Sequence, residues 1–257
     1  MLHASRFTRR PPEFLMTHPV TESRVSEARL RAQQENVGAS STKLKYELVK
    51  VRAHLLHEKN RNTAVQIFED EVRGDRYSDT AANYGLALAL IRDEKTERAQ
   101  QLVSALLKED PRNDFFLVAQ VDIYASEKKY EQAITLLEKE LKQQPNNHAY
   151  NTRIAEVLMQ AGQYNYCNQI LRMHVKRRPK DDYIWYLLAE VEGLAGNIFE
   201  VHMARAQYFK LNGLFDKAEI QMANALRLVK NTDEQTRAKI QEELKSIRKM
   251  RRELADF

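Results

Sequence analysis

A period of 34 residues runs through the middle of the chain. Pro111, Pro145 and Pro179 follow one another at this spacing, and the segments before them align without gaps. Two sets of small residues keep the same spacing: Ala99, Ala133 and Cys167 form one set, and Ala87, Val121, Ala155 and Ala189 form the other. A fixed period of this length is typical of repeat proteins, in which each unit packs on its neighbours. The period therefore predicts a solenoid.

Each unit reads as two helices joined by a short turn. In the second unit, a helical segment at 115–126 is followed by Glu127-Lys-Lys-Tyr130, a second segment at 131–143, and Pro145. Small residues let the paired helices approach closely, and proline ends the second helix because it lacks a backbone N–H donor. Only seven Gly and six Pro occur among 257 residues, which favours helices over a turn-rich β architecture. We expect an all-α fold.

These units resemble tetratricopeptide repeats in length, in the two positions held by small residues and in the closing proline. Three units, at 80–113, 114–147 and 148–181, match well. A weaker unit precedes them, with Ala64 and Phe68 at second-helix positions but without a closing proline. The resemblance implies an α-solenoid of antiparallel helix pairs, which we place at 41–231.

The repeat changes its step after residue 181. Phe215-Asp-Lys-Ala218 restarts a unit half a period early, so one helix near 199–211 is expected to serve two pairings. The last segment, 232–257, is highly charged and carries an apolar stripe of Ile240, Leu244 and Ile247. An open-ended solenoid needs a polar cap, and we interpret this segment as a capping helix.

In solenoids of this family the first helix of each pair lines a concave groove that holds an extended peptide or a partner helix. Projecting the repeat phase places ten side chains toward that groove: Tyr84, Leu88, Phe115, Asp122, Thr152, Glu156, Met159, Tyr183, Tyr186 and Glu190. Aromatic side chains are effective contact residues. For any one of them, packing between neighbouring repeats is the alternative. Family members that capture a C-terminal carboxylate carry Lys, Asn and Arg at groove positions held here by Tyr84, Val118, Thr152 and Tyr186, so that mode is not expected.

Residues 1–40 carry no repeat phase. Arg10-Pro-Pro-Glu-Phe-Leu15, Thr17-His18-Pro19 and Glu22-Ser-Arg24, with a helix after them, resemble the end of the catalytic domain in the M48 family of zinc metallopeptidases, in members that carry a C-terminal tetratricopeptide domain. The resemblance implies accessory roles for His18, near the metal site, and for Arg24, which holds that segment. It also implies a periplasmic scaffold that recruits substrates or outer-membrane assembly partners, and zinc in the full-length protein.

The chain departs from that family where the zinc ligands should be. A His-Glu-x-x-His helix gives zinc two ligands and a general base, but here His57-Glu58 is followed by Arg61 at the second ligand position. We therefore expect no zinc site and no complete catalytic site in this chain, with the catalytic core upstream. His54 and His57 lack further ligands nearby. An independent tetratricopeptide adaptor, unrelated to proteolysis, is the alternative; a complete zinc hydrolase is disfavoured because the ligands are missing.

Composition argues against three further functions: nucleic-acid binding, membrane insertion and catalysis by a nucleophilic cysteine. The 41 basic and 36 acidic residues are scattered through the same segments, so the net charge of +5 does not predict a nucleic-acid partner. No run of about 18 apolar residues occurs, and membrane insertion is not expected. The single cysteine, Cys167, takes a small-residue position of the repeat, which favours a place in the core over a role as nucleophile.

Overall fold

The computed structural model describes residues 39–255, and this part of the chain consists of α-helices without a β-strand. The twelve helices are α1 (Ala39–His57), α2 (Arg61–Arg73), α3 (Asp79–Arg92), α4 (Thr96–Glu109), α5 (Asp114–Ser126), α6 (Tyr130–Gln143), α7 (His148–Gln160), α8 (Tyr164–Arg177), α9 (Asp182–Leu194), α10 (Ile198–Leu211), α11 (Phe215–Leu228) and α12 (Glu234–Ala255). The all-α prediction is confirmed.

The helices stack in one continuous series. From α2 to α12 each helix contacts the next one along the chain. A second set of contacts joins α1 to α3, α3 to α5, α5 to α7 and α7 to α9. The first helices of successive pairs therefore lie side by side on one face, which is the arrangement that the repeat period predicts.

Capping residues recur with the repeat and define where each first helix begins. The side chains of Asn113, Asn147 and Asp181 accept hydrogen bonds from the backbone N–H groups of Phe115, Tyr150 and Ile184 at the starts of α5, α7 and α9. Ser78 caps α3 in the same way. Asn, Asp and Ser are preferred at these positions because their oxygens satisfy backbone donors that the helix leaves free.

In the four pairs from α3 and α4 to α9 and α10, the turn contains one residue in the left-handed conformation. Glu94, Lys128, Gly162 and Gly196 hold this place at the repeat spacing, with φ between 59° and 78°. Gly213 (φ 71°) follows only half a period later, between α10 and α11. The change of step read from the sequence is therefore present in the backbone, and α10 packs against both α9 and α11.

The small residues of the repeat lie where paired helices meet. Ala87, Ala99, Val121, Ala133, Ala155 and Cys167 are all fully buried. Cys167 donates through its thiol to the carbonyl of Ala155, and burial raises its pKa to about 12. The interpretation of Cys167 as a core residue is confirmed.

The helix α12 covers the end of the stack through Ile240, Leu244 and Ile247, which are buried against Ala218 and Met222 of α11. None of the helices between Ala39 and Ala255 combines the length and apolarity needed to cross a bilayer.

Candidate polypeptide-binding groove

The face formed by the first helices carries two adjoining pockets, of about 590 and 450 Å³. Every residue that lines them belongs to α1, α3, α5, α7 or α9. Arg52 of α1 and Arg153 of α7 line both pockets. The two pockets together form one groove along the inner face of the solenoid, which we call the groove below.

The first pocket has apolar walls and a charged floor. Its walls are the side chains of Leu55, Leu56, Leu88 and Ile91. Its charged residues are Arg52, Arg92, Asp122 and Arg153. Arg92 donates to the backbone carbonyls of Leu55 and Glu58, so it satisfies acceptors left free at the C-terminal end of α1.

Arg153 joins two of the three acidic residues that the sequence placed in the groove. Its Nε lies 2.6 Å from Oδ1 of Asp122, and its Nη1 lies 2.9 Å from Oε2 of Glu156. Burial raises the pKa of Asp122, while the guanidinium groups of Arg153 and Arg52 lower it. The groove therefore presents a charge cluster in which Arg153 compensates Asp122 and Glu156. The sequence analysis did not predict the pairing of Arg153 with Asp122.

Tyr84 does not face the groove, and the prediction that its side chain is available there is wrong. Tyr84 is 0% exposed, and its ring packs against the rings of Phe115 and Phe116 at centroid distances of 6.1 and 5.7 Å. The cause is α1, which packs against α3 and places Arg52 so that Nη1 donates to the Tyr84 hydroxyl at 3.0 Å. Burial raises the pKa of this hydroxyl to about 12.

Tyr183 and Tyr186 of α9 are the most exposed aromatic residues of the predicted set, at 43% and 42%. Their rings stack at 6.1 Å, and the ring of Tyr208 on α10 lies 5.9 Å from that of Tyr186. Tyr183 donates to Oε1 of Glu156 at 2.7 Å. We call Tyr183, Tyr186 and Tyr208 the tyrosine strip. The sequence projection missed Tyr208 because it took only the first helix of each pair, and Tyr208 lies on the second helix α10.

The remaining predicted groove residues are partly buried or paired with neighbouring side chains. Phe115 and Thr152 are half-buried and line the second pocket, where the Thr152 hydroxyl donates to the carbonyl of His148. Met159 is half-buried against the central core cluster. Oε1 of Glu190 lies 3.7 Å from Nη2 of Arg205, so the two side chains form an ion pair.

Two groups of predicted residues bear on metal chemistry. His18 and Arg24 lie outside the described residues. His57 ends α1 and Arg61 begins α2, so this His-Glu segment does not place ligands on one helical face, and Arg61 instead pairs with Glu94 at 2.9 Å. These residues do not fit a catalytic zinc site of the His-Glu-x-x-His kind.

Fold and groove define the described part of the chain as an α-solenoid of stacked helix pairs with a groove on its first helices. Residues 124–191 match the sequence profile of the tetratricopeptide repeat family. A solved tetratricopeptide repeat protein from Parabacteroides merdae aligns with 88% of this chain and 89% of its own, at a TM-score of 0.46 and 14% identity.

The chain also resembles part of a named protease. It is 32% identical over 130 residues to the beta-barrel assembly-enhancing protease of Escherichia coli K12, a match that covers 50% of this chain and 27% of the relative. The protein of the same name from Yersinia pestis is 32% identical over 126 residues, covering 49% and 26%. The match spans about a quarter of the length of these relatives.

Proposed function

We propose that the chain is the scaffold that recruits unfolded polypeptides, or outer-membrane assembly partners, to an M48-type zinc metallopeptidase domain outside the chain. One observation carries the binding half of this proposal: both pockets and two of the three tyrosines of the strip lie on the first helices, along one continuous face. The recruitment half draws on the name of the relatives and on the resemblance of residues 1–40.

The chemistry of the groove suits an extended polypeptide with alternating apolar and polar side chains. Leu55, Leu56, Leu88 and Ile91 offer an apolar wall, and the tyrosine strip offers flat rings that bury area with few torsions to freeze. Arg52, which lines both pockets, can donate to backbone carbonyls or to a carboxylate of the bound polypeptide. A strand of an outer-membrane barrel protein before assembly has this alternating pattern, with apolar residues on one side and polar residues on the other.

The catalytic part of the proposed function is assigned to residues outside this chain. In this proposal the peptidase domain outside the chain binds zinc, and the whole protein acts in the periplasm. The alternative is an adaptor of the same fold that acts without a peptidase, and an experiment can separate the two.

Binding is tested with a fluorescent peptide copied from a strand of an outer-membrane barrel protein. Exchanging Tyr183→Ala and Tyr186→Ala together removes two stacked, half-exposed rings, and we expect the Kd measured by fluorescence anisotropy to rise at least about tenfold. Tyr166→Ala is the matched control, because Tyr166 is 37% exposed and donates to Glu138 at 2.8 Å, much as Tyr183 donates to Glu156, but lies on the second helix α8. Equal Kd values for both variants and the parent would refute a role for the groove.

Recruitment is tested in the longer protein that joins this region to a peptidase domain. The double tyrosine variant should slow cleavage of an unfolded barrel polypeptide while leaving cleavage of a short peptide, which needs no groove, at the parent rate. Unchanged cleavage of both substrates, combined with lost peptide binding, would favour the adaptor and overturn the recruitment half of the proposal.

A further inference from the structure

Two histidines and an aspartate from three elements meet where one repeat joins the next. His148 is the first residue of α7, His174 lies on α8, and Asp181 caps α9. Nδ1 of His148 lies 3.2 Å from Nε2 of His174 and 3.2 Å from Oδ2 of Asp181. The three potential ligand atoms all lie within 4.8 Å of one another.

A single hydrogen bond does not engage both neighbours of Nδ1 of His148. Nδ1 of His148 has either one proton to donate or one lone pair, yet it faces both an imidazole nitrogen and a carboxylate oxygen. His174 is 2% exposed, and its Nε2, the ring nitrogen that faces His148, is the atom available to a ligand ion.

The two separations measured from His148 suit a tetrahedral metal ion. Zinc holds its nitrogen and oxygen ligands at about 2.0–2.1 Å, which places neighbouring ligand atoms about 3.3 Å apart. Both distances from His148 Nδ1 are close to that value. We propose that His148, His174 and Asp181 form a binding site for a divalent transition-metal ion, with zinc the best match.

The donor set decides the class of ion. Two imidazole nitrogens with one carboxylate oxygen suit Zn²⁺, Co²⁺, Ni²⁺ or Cu²⁺, whereas Mg²⁺ and Ca²⁺ prefer oxygen ligands throughout. His148 also lines the second pocket, and its side chain is 39% exposed, so solvent reaches the site and can fill the remaining coordination position.

Two features of the surroundings work against the ion. The imidazole rings lie nearly parallel, 21° apart, so the ring of His148 has to turn on binding, and its partial exposure leaves space for this. Arg177 and Arg178 add positive charge near His174, but both are exposed, so solvent and salt screen them. The carboxylate of Asp181, 3.2 Å from Nδ1 of His148, is itself a ligand and attracts the ion.

An ion at this site would tie α7, α8 and the start of α9 together, beside the second pocket. Because a site built from three elements does not exist in the unfolded chain, metal binding should stabilise the folded protein. With free zinc a hundredfold above its Kd, the unfolding midpoint should rise by about 5–10 °C.

The test uses protein without a histidine tag, stripped with a chelator and titrated with zinc chloride in a calorimeter. We expect one zinc ion per chain, and with Co²⁺ the intense visible bands of tetrahedral coordination. His148→Gln and Asp181→Asn should each weaken zinc binding at least tenfold. Asp181→Asn keeps the helix cap, because asparagine caps as well as aspartate does.

His202→Gln is the matched control. Nδ1 of His202 is hydrogen-bonded to Oε1 of Gln221 at 2.7 Å in another part of the stack, so this substitution should leave the zinc titration unchanged. Circular dichroism of each variant shows that the helices remain. Zinc binding that neither His148→Gln nor Asp181→Asn reduces, or the absence of a stoichiometric zinc transition, would overturn the proposal.

Discussion

Gly85 lies where α3 crosses α2, and replacing it with alanine should destabilise the protein although alanine favours helices. A Cβ built on Gly85 would lie 2.2 Å from Cε1 and 2.3 Å from Cδ1 of Phe68. Carbon atoms in contact normally keep about 3.5 Å between them, so the ring or the helix has to move by more than about 1 Å. Phe68 has little space, since it is 1% exposed and packs against His54 and Tyr77.

The expected free-energy change follows from two opposing effects. Overpacking a core costs about 1–3 kcal/mol, and the move required here is large enough for the upper part of that range. The better helix propensity of alanine returns about 0.8–1 kcal/mol. Gly85→Ala should therefore lower the free energy of unfolding by about 1–2 kcal/mol.

Gly193→Ala on α9 is the matched control. Its new Cβ would meet only Cγ2 of Val201 at 3.7 Å, an ordinary contact, so it should raise the free energy of unfolding by up to about 1 kcal/mol. Urea titration followed by circular dichroism measures both variants, and Phe68→Leu in the Gly85→Ala background should recover part of the loss. If Gly85→Ala proves as stable as the parent, the close approach of α2 and α3 described here is refuted.

Three further predictions concern single residues. Lys128→Gly should stabilise the protein by about 1 kcal/mol in the same urea titration, because Lys128 holds a left-handed conformation (φ 59°) that glycine adopts without cost; a loss of stability would contradict the turn geometry. Cys167, with its pKa raised to about 12 by burial, should resist alkylation by iodoacetamide at pH 8 and react once urea unfolds the chain; rapid labelling of the folded protein would contradict its burial. The unfolding midpoint should fall as pH drops below about 6.5, because burial lowers the pKa of His174 and the unfolded chain then binds the proton more readily; His174→Gln should weaken this dependence, and an unchanged profile would exclude His174 as its source.

The repeat period made much of the fold predictable because the same physical requirement recurs in every unit. Helix caps at Asn113, Asn147 and Asp181 and buried small residues such as Ala87 and Ala155 stand at matching positions. Even the change of step before α11 is visible in the sequence, since Gly213 follows Gly196 at half the period.

The groove was harder to predict because its chemistry depends on contacts between repeats. Tyr84 is covered by α1, a helix outside the three well-matched units. The repeat phase therefore could not predict that Tyr84 is buried. Arg153 pairs with Asp122 of the preceding unit, and a single-repeat projection does not show such pairs. The cluster of His148, His174 and Asp181 combines three different repeat positions and has no local sequence motif.

The most direct test of a polypeptide-binding groove is site-specific photocrosslinking to a defined unfolded outer-membrane barrel protein. A photoreactive amino acid would replace Tyr186 or Leu88 on the first helices and, for comparison, Tyr166 or Met173 on α8, whose side chains are also accessible. We predict adducts from the two groove positions and none above background from the two on α8. Adducts from α8 alone, or equal yields from all four positions, would contradict the groove as the binding surface.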